Sequence, residues 1–192
     1  MHMFEGLIPG VQLGSALAAV DRSTLDDASL LEVLIAQSRQ LAHEQARLLA
    51  DLVAVADAVP VAEFAPMEIG AALTWTRQAA SAQLVLAQDL VQRLPMVHDA
   101  LLRAELDLPK ARVIAEGVAS LDLPSARQVA SSILPHASTL TTGQLRARLS
   151  KLVIAIDPDA AASRHRLRLT GRRIVLQPDQ DSCASLCAFD LP

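Results

Sequence analysis

At 192 residues the chain is long enough for one ordinary domain with a small appendage and for a real buried core. Hydrophobic residues make up 52% of it, much of that alanine and leucine, while aromatics are 2% and tyrosine is absent. This favours helices packed closely through small side chains, and it excludes the stacking platforms of single-stranded nucleic-acid binders, since only Phe4, Phe64, Trp75 and Phe189 could build them. The net charge of −4 hides an asymmetry: residues 1–102 carry −7 and residues 103–173 carry +6, which fits either a polyanion partner for the back half or mutual attraction of the two halves.

In chain order, an irregular start leads to a short helix at "SALAAV", and then Ser23 or Asp26 precedes a long periodic stretch, about residues 24–59, that Pro60 ends. Leu30, Leu31, Leu34, Leu41, Leu48, Leu49, Leu52 and Val55 recur at threes, fours and sevens as one apolar stripe. At roughly 45 Å this helix exceeds what one small core covers, so it is expected to spine the bundle, with packing on a partner as the alternative.

"MEIGAALTWTRQAASAQLVLA" follows, two helix patterns broken at Thr74, Trp75 and Thr76, with the second reaching Arg93. Four Leu-Pro pairs come next: proline suits the first helical turn, so those at 94, 108 and 123 read as helix starts, and Leu134-Pro135 reads as an end. "LPKARVIAEGV" and "LPSARQVASSI", fifteen residues apart, share L-P-x-A-R-x-x-A and form a helical pair. Thr141 with Gln144 makes a capping box before the stripe Leu145, Leu149, Leu152, Val153 and Ile156. After Asp157-Pro158 a further helix with a basic end leads into "RRIVLQPDQDSCASLCAF". There Ile174 and Leu176, then Cys183, Ser185, Cys187 and Phe189, alternate around "PDQD" as a β-hairpin. The expected fold is mainly α: a helical module over 1–170, with a helix-turn-helix-like pair at 67–93 and short helices over 95–168, and a hairpin at 171–192.

The order "MEIGAALTWTRQ…LPKARVIAEGVASL", then "ILPHASTLTTGQLRARLSKLVIAIDPDAA", then a basic stretch and the hairpin, resembles the actinobacterial 13E12 repeat family, whose N-terminal module is domain of unknown function 222. In many members an HNH nuclease domain follows, with His and Asn residues that bind a metal and activate water, often beside zinc-binding Cys-x-x-Cys pairs. This sequence has no H-N-H arrangement and no Cys-x-x-Cys, so the resemblance carries over no catalytic residue. It implies a noncatalytic module that binds DNA or positions a nuclease domain in cis. The chain stops where relatives continue, so the hairpin reads as the start of a connection to a further domain, in a shortened family member or a cut piece of one.

Three sets of residues are candidates for a site. As a helix-turn-helix, the stretch at 67–93 puts Ile69 and Leu73 toward the core, lets Gly70 admit a close contact, uses Trp75 to plug the turn and Thr76 to cap the second helix, and packs Ala79, Ala80 and Leu84 inward. Thr74 departs from the pattern where a left-handed glycine is usual, so the turn is expected to differ from that of a DNA reader; Gln83 departs where an apolar residue is usual. Its outward residues are Arg77, Gln78, Ser81 and Ala82, of which arginine suits guanine and glutamine adenine, yet residues 60–94 sum to −1.

The second set is basic: Arg146, Arg148 and Lys151, then Arg164, Arg166, Arg168, Arg172 and Arg173, able to lie along phosphates or to form a solvated face. Third, His2, His43, His98, His136 and His165 lack companion ligands at metal spacing, and the two cysteines read as free thiols. No cofactor and no metal is expected. With no G-x-S-x-G and no glycine-rich phosphate loop, no catalytic residue is assigned. No apolar run reaches the roughly 18 residues of a membrane span and the start lacks a basic signal region, so no membrane partner and a cytoplasmic location are expected. Besides DNA, the partner readings are a homo-oligomer through the long helix, with the helix-turn-helix look only packing, and an inactive remnant of a mobile-element-like gene.

Overall fold

A computed structural model describes residues 3–156, 173–178 and 183–189. It contains helices α1 (Val11–Ala18), α2 (Asp27–Ala58), α3 (Ala65–Leu73), α4 (Arg77–Gln88), α5 (Pro95–Leu102), α6 (Leu108–Gly117), α7 (Leu123–Ala137) and α8 (Thr142–Ile156), and strands β1 (Arg173–Pro178) and β2 (Ala184–Phe189). The fold is mainly helical with a C-terminal antiparallel hairpin. Residues 1–150 and 151–192 form two compact units.

Local chemistry sets the helix starts in the first unit. Asp26, Asp107 and Asp122 accept the backbone N–H groups of Ser29, Lys110 and Ser125 at 2.9, 2.8 and 3.1 Å, occupying donors that an α-helix leaves unpaired. These bonds from Ser29 and Ser125 hold the Asp26 and Asp122 carboxyls below their ordinary values. Pro95, Pro109 and Pro124 sit in first turns, where no N–H is missed. Pro135 lies inside α7, which closes two residues later at Ala137. At α8 the capping box forms in both directions: Gln144 N donates to Thr141 Oγ1 at 3.3 Å, and Thr141 N donates to Gln144 Oε1 at 3.0 Å. α4 passes into a single π-helical turn, Asp89–Arg93, closed by Leu94 N donating to Asp89 O at 2.9 Å.

α2 is the spine, packing against α1, α3, α4, α5 and α6, and of the expected stripe only Leu49 and Leu52 take part in that core. Its buried residues are Val33, Ala36, Ala42, Ala46, Leu49, Leu52, Val53 and Ala56. Leu34, Leu41, Leu48 and Val55 face outward, 64%, 55%, 43% and 44% exposed, as do Leu30 and Leu31. The expected single stripe is therefore two apolar arcs, and the smaller side chains line the core. Alanines let neighbouring helix axes approach closely, and the dense packing this permits outweighs what bulkier leucines would give at a larger axial distance.

Two histidines tie the spine to α5: His43 Nδ1 lies 2.8 Å from Leu102 O, and His98 Nε2 lies 2.9 Å from Ala46 O, so each ring nitrogen donates to a carbonyl. A satellite core of Phe4, Leu13, Leu17, Val33 and Ala36 joins α1 to the first half of α2. Arg39 donating to Leu7 O and Gly10 N donating to Gln40 Oε1, both 2.8 Å, fasten the N-terminal segment beside it.

In the second unit β1 pairs with β2 so that Ile174 stands opposite Ala188, Val175 opposite Cys187, Leu176 opposite Leu186 and Gln177 opposite Ser185. The Ile174–Leu176 alternation and the Ser185–Cys187 alternation thus fall on opposite faces of the hairpin. Ile174, Leu176 and Leu186 are exposed. The helix expected after Pro158 lies outside the described residues.

Candidate nucleic-acid interface

α3 and α4 form the helix-turn-helix-like pair. Thr74 takes the left-handed conformation itself, φ 55° and ψ 36°, so the expectation that a threonine here alters the turn is corrected at this residue. Its hydroxyl donates to Leu73 O at 2.7 Å, and Trp75 N donates back to Gly70 O at 2.9 Å. Gly70 lets the turn come close: a Cβ on it would stand 3.0 Å from Trp75 O and crowd that carbonyl. Thr76 Oγ1 then accepts Ala79 N at 3.2 Å and caps α4.

Ile69, Ala80 and Leu84 are buried as the pattern requires. Two assignments are corrected: Leu73 is 38% exposed and Ala79 is exposed, because the left-handed residue turns the chain before Leu73 is covered and Ala79 falls on the outer side of α4. Trp75 is half-buried at the turn.

The outer side of α4 offers Arg77, Gln78 and Ala82, all exposed, with Ser81 half-buried at its edge. Among the described residues neither Arg77 nor Gln78 has a hydrogen-bond or ion-pair partner, so both heads are available to a ligand. Val85, Met67 and Phe64 are exposed as well.

The basic residues of the back half divide into engaged and unengaged. Arg103 Nε binds Glu105 Oε1 at 2.6 Å, which holds the Glu105 carboxyl below its ordinary value. Lys110 Nζ donates to Ser138 O at 3.0 Å. Arg127 Nε donates to Arg93 O at 3.0 Å and its Nη2 to Gln92 O at 3.3 Å, satisfying carbonyls at the end of the π turn. Arg93 answers from the front half, donating to Val118 O and Leu121 O at 3.1 and 2.7 Å beyond the end of α6.

Arg112, Arg146, Arg148 and Lys151 remain without such partners among the described residues. Arg146 and Arg112 meet across an open groove of about 500 Å³, lined also by Thr142 at the start of α8 and by Glu116. Buried Leu145 and Leu149 anchor α8 here; Leu149 packs on α6, its Cδ1 3.1 Å from where a Cβ on Gly117 would stand. Arg148 is exposed, and at two residues along the helix it points well away from Arg146. Lys151, in the second unit, is exposed. Arg173 opens β1, while Arg164, Arg166, Arg168 and Arg172 lie outside the described residues.

Arg112 is not among the sequence candidates, though a signal exists. It is the arginine of the first L-P-x-A-R-x-x-A copy, equivalent to Arg127 of the second.

Among the described residues no group of His, Cys, Asp and Glu is placed to hold a metal, no helix is long and apolar enough to cross a membrane, and the thiols of Cys183 and Cys187 are free. Comparisons with curated proteins and with solved structures give no match. The model of the family described as Domain of unknown function (DUF222) matches residues 28–188, and the chain belongs to that family.

Proposed function

We propose that the domain is a noncatalytic DNA-binding module which, in 13E12-type proteins, holds nucleic acid for an HNH nuclease domain in cis. The observation that carries this reading is the start of α4. A left-handed turn and a threonine cap fix the helix, and its first turn presents Arg77 and Gln78, both exposed and unpartnered among the described residues, the two side-chain types that read guanine and adenine edges in a major groove.

α4 alone is a weak binder, because residues 60–94 sum to −1 and phosphate contacts supply most nonspecific affinity. The reading therefore assigns affinity to Arg112, Arg146, Arg148 and Lys151, together with Arg164, Arg168, Arg172 and Arg173, and selectivity to Arg77 and Gln78, with Ser81 at the margin.

Fluorescence anisotropy on duplex DNA across a salt series tests it. Each side chain assigned to affinity that reaches a phosphate should steepen the fall of log K against log salt by about 0.9. Arg77→Ala with Gln78→Ala should cut discrimination between sequences and leave the slope unchanged. No binding at low salt overturns the DNA reading, and unchanged affinity and selectivity in the double variant removes α4 from it.

A further inference from the structure

We infer that the outward face of α2 is a self-association surface that pairs with the same face of a second copy of this chain. The inference does not rest on DNA binding. Leu34, Leu41, Leu48 and Val55 repeat at intervals of seven and are 43–64% exposed, with Leu30, Leu31 and Ile35 exposed near the first of them.

A straight α-helix drifts about 20° per heptad, so a strict seven-residue repeat does not follow one side of a straight rod. The four side chains instead make a line that winds slowly round α2, and a second helix crossing it can lie along that line. The core of this molecule does not use that line: it takes the alanine arc of the same helix, through Ala42, Ala46 and Ala56. A second copy presents the same apolar line, and a two-fold axis sets the two lines against each other.

The area is sufficient. The stripe from Leu34 to Val55 runs about 32 Å along the helix. Together with Leu30, Leu31 and Ile35, its large side chains present on the order of 400 Å² of apolar surface. With apolar atoms forming about 65% of homodimer interfaces, this corresponds to roughly 600 Å² per copy, about 1,200 Å² for the pair, the lower edge of specific stable interfaces. A patch of this size falls within the roughly 300–600 Å² of the largest apolar patch on a typical monomer, which is often a functional surface.

Sedimentation equilibrium of the full chain over a concentration series tests the inference, with Cys183 and Cys187 changed to Ser to exclude disulfide-linked species. A dimer is expected. Leu34→Glu with Leu41→Glu should give a monomer with an unchanged helical circular dichroism spectrum, since both side chains lie outside the core. The milder Leu41→Ala with Leu48→Ala should raise the dimer dissociation constant at least about a hundredfold. A parent protein that stays monomeric up to about 100 µM, or a dimer that both pairs of substitutions leave intact, overturns the proposal.

Discussion

α6 and α7 begin with the same eight-residue pattern and end up with different tasks. Both are capped by an aspartate, Asp107 and Asp122, both carry proline in the first turn, and both bury the alanines of the pattern: Ala111 and Ala115 in one, Ala126 and Ala130 in the other. The arginines part company. Arg127 reaches the carbonyls of Gln92 and Arg93 and fastens the end of the π turn that follows α4, whereas Arg112 stands unpartnered among the described residues, across a groove from Arg146. A repeated motif thus dictates the start and buried stripe of a helix, while the role of its charged residue depends on which backbone ends come within reach.

The largest expected effect tests the shared part. Ile114→Ala and Ile133→Ala each empty a fully buried site, one per helix, and each should cost about 2–5 kcal/mol in chemical denaturation. A loss below about 1 kcal/mol at either site would break the equivalence of the two cores.

The arginines test the divergence at smaller scale. Arg127→Ala should destabilise by about 2 kcal/mol, since charged donors are withdrawn from two helix-end carbonyls. Arg112→Ala should stay within about 0.5 kcal/mol of the parent and, on the DNA reading, flatten the salt dependence by about one unit of slope. Equal destabilisation by both substitutions would merge the two roles.

The smallest effect concerns acid. The hydrogen bonds from Ser125 lower the Asp122 carboxyl from 3.8, so its folded-state value lies below its unfolded one. Its contribution is complete above the unfolded value and is lost as pH falls through the folded value. Asp122→Asn should therefore make thermal stability less steep below about pH 4, measured by circular dichroism melts. A parent-like acid limb would remove this cap from the comparison.

Much of the helical layout is legible from residues. Asp26, the capping box at Thr141 and Gln144, the three helix-starting prolines and the Thr76 cap act within a turn or two of chain, so their signals are complete in the sequence. The helix-turn-helix-like pair is legible for the same reason, apart from Thr74, whose side chain argues against a left-handed conformation that it nevertheless adopts. Of the candidate site, Arg77 and Gln78 are found by helical spacing. Arg112 escapes sequence reasoning because its neighbour Arg146 is 34 residues away and only packing of α6 against α8 brings them together.

The sequence by itself determined where the capped and proline-started helices begin, that the chain is mainly α with a terminal hairpin, and that its charge is divided between front and back. Only the tertiary structure decided which arc of α2 is core, which arginines are engaged, and which residues line the groove between Arg112 and Arg146. Periodicity marks a face as apolar but does not say what covers it. That choice is made by the distance at which helices can pack, and here the arc with Ala36, Ala42, Ala46 and Ala56 allows the closer approach and leaves Leu34, Leu41 and Leu48 facing out.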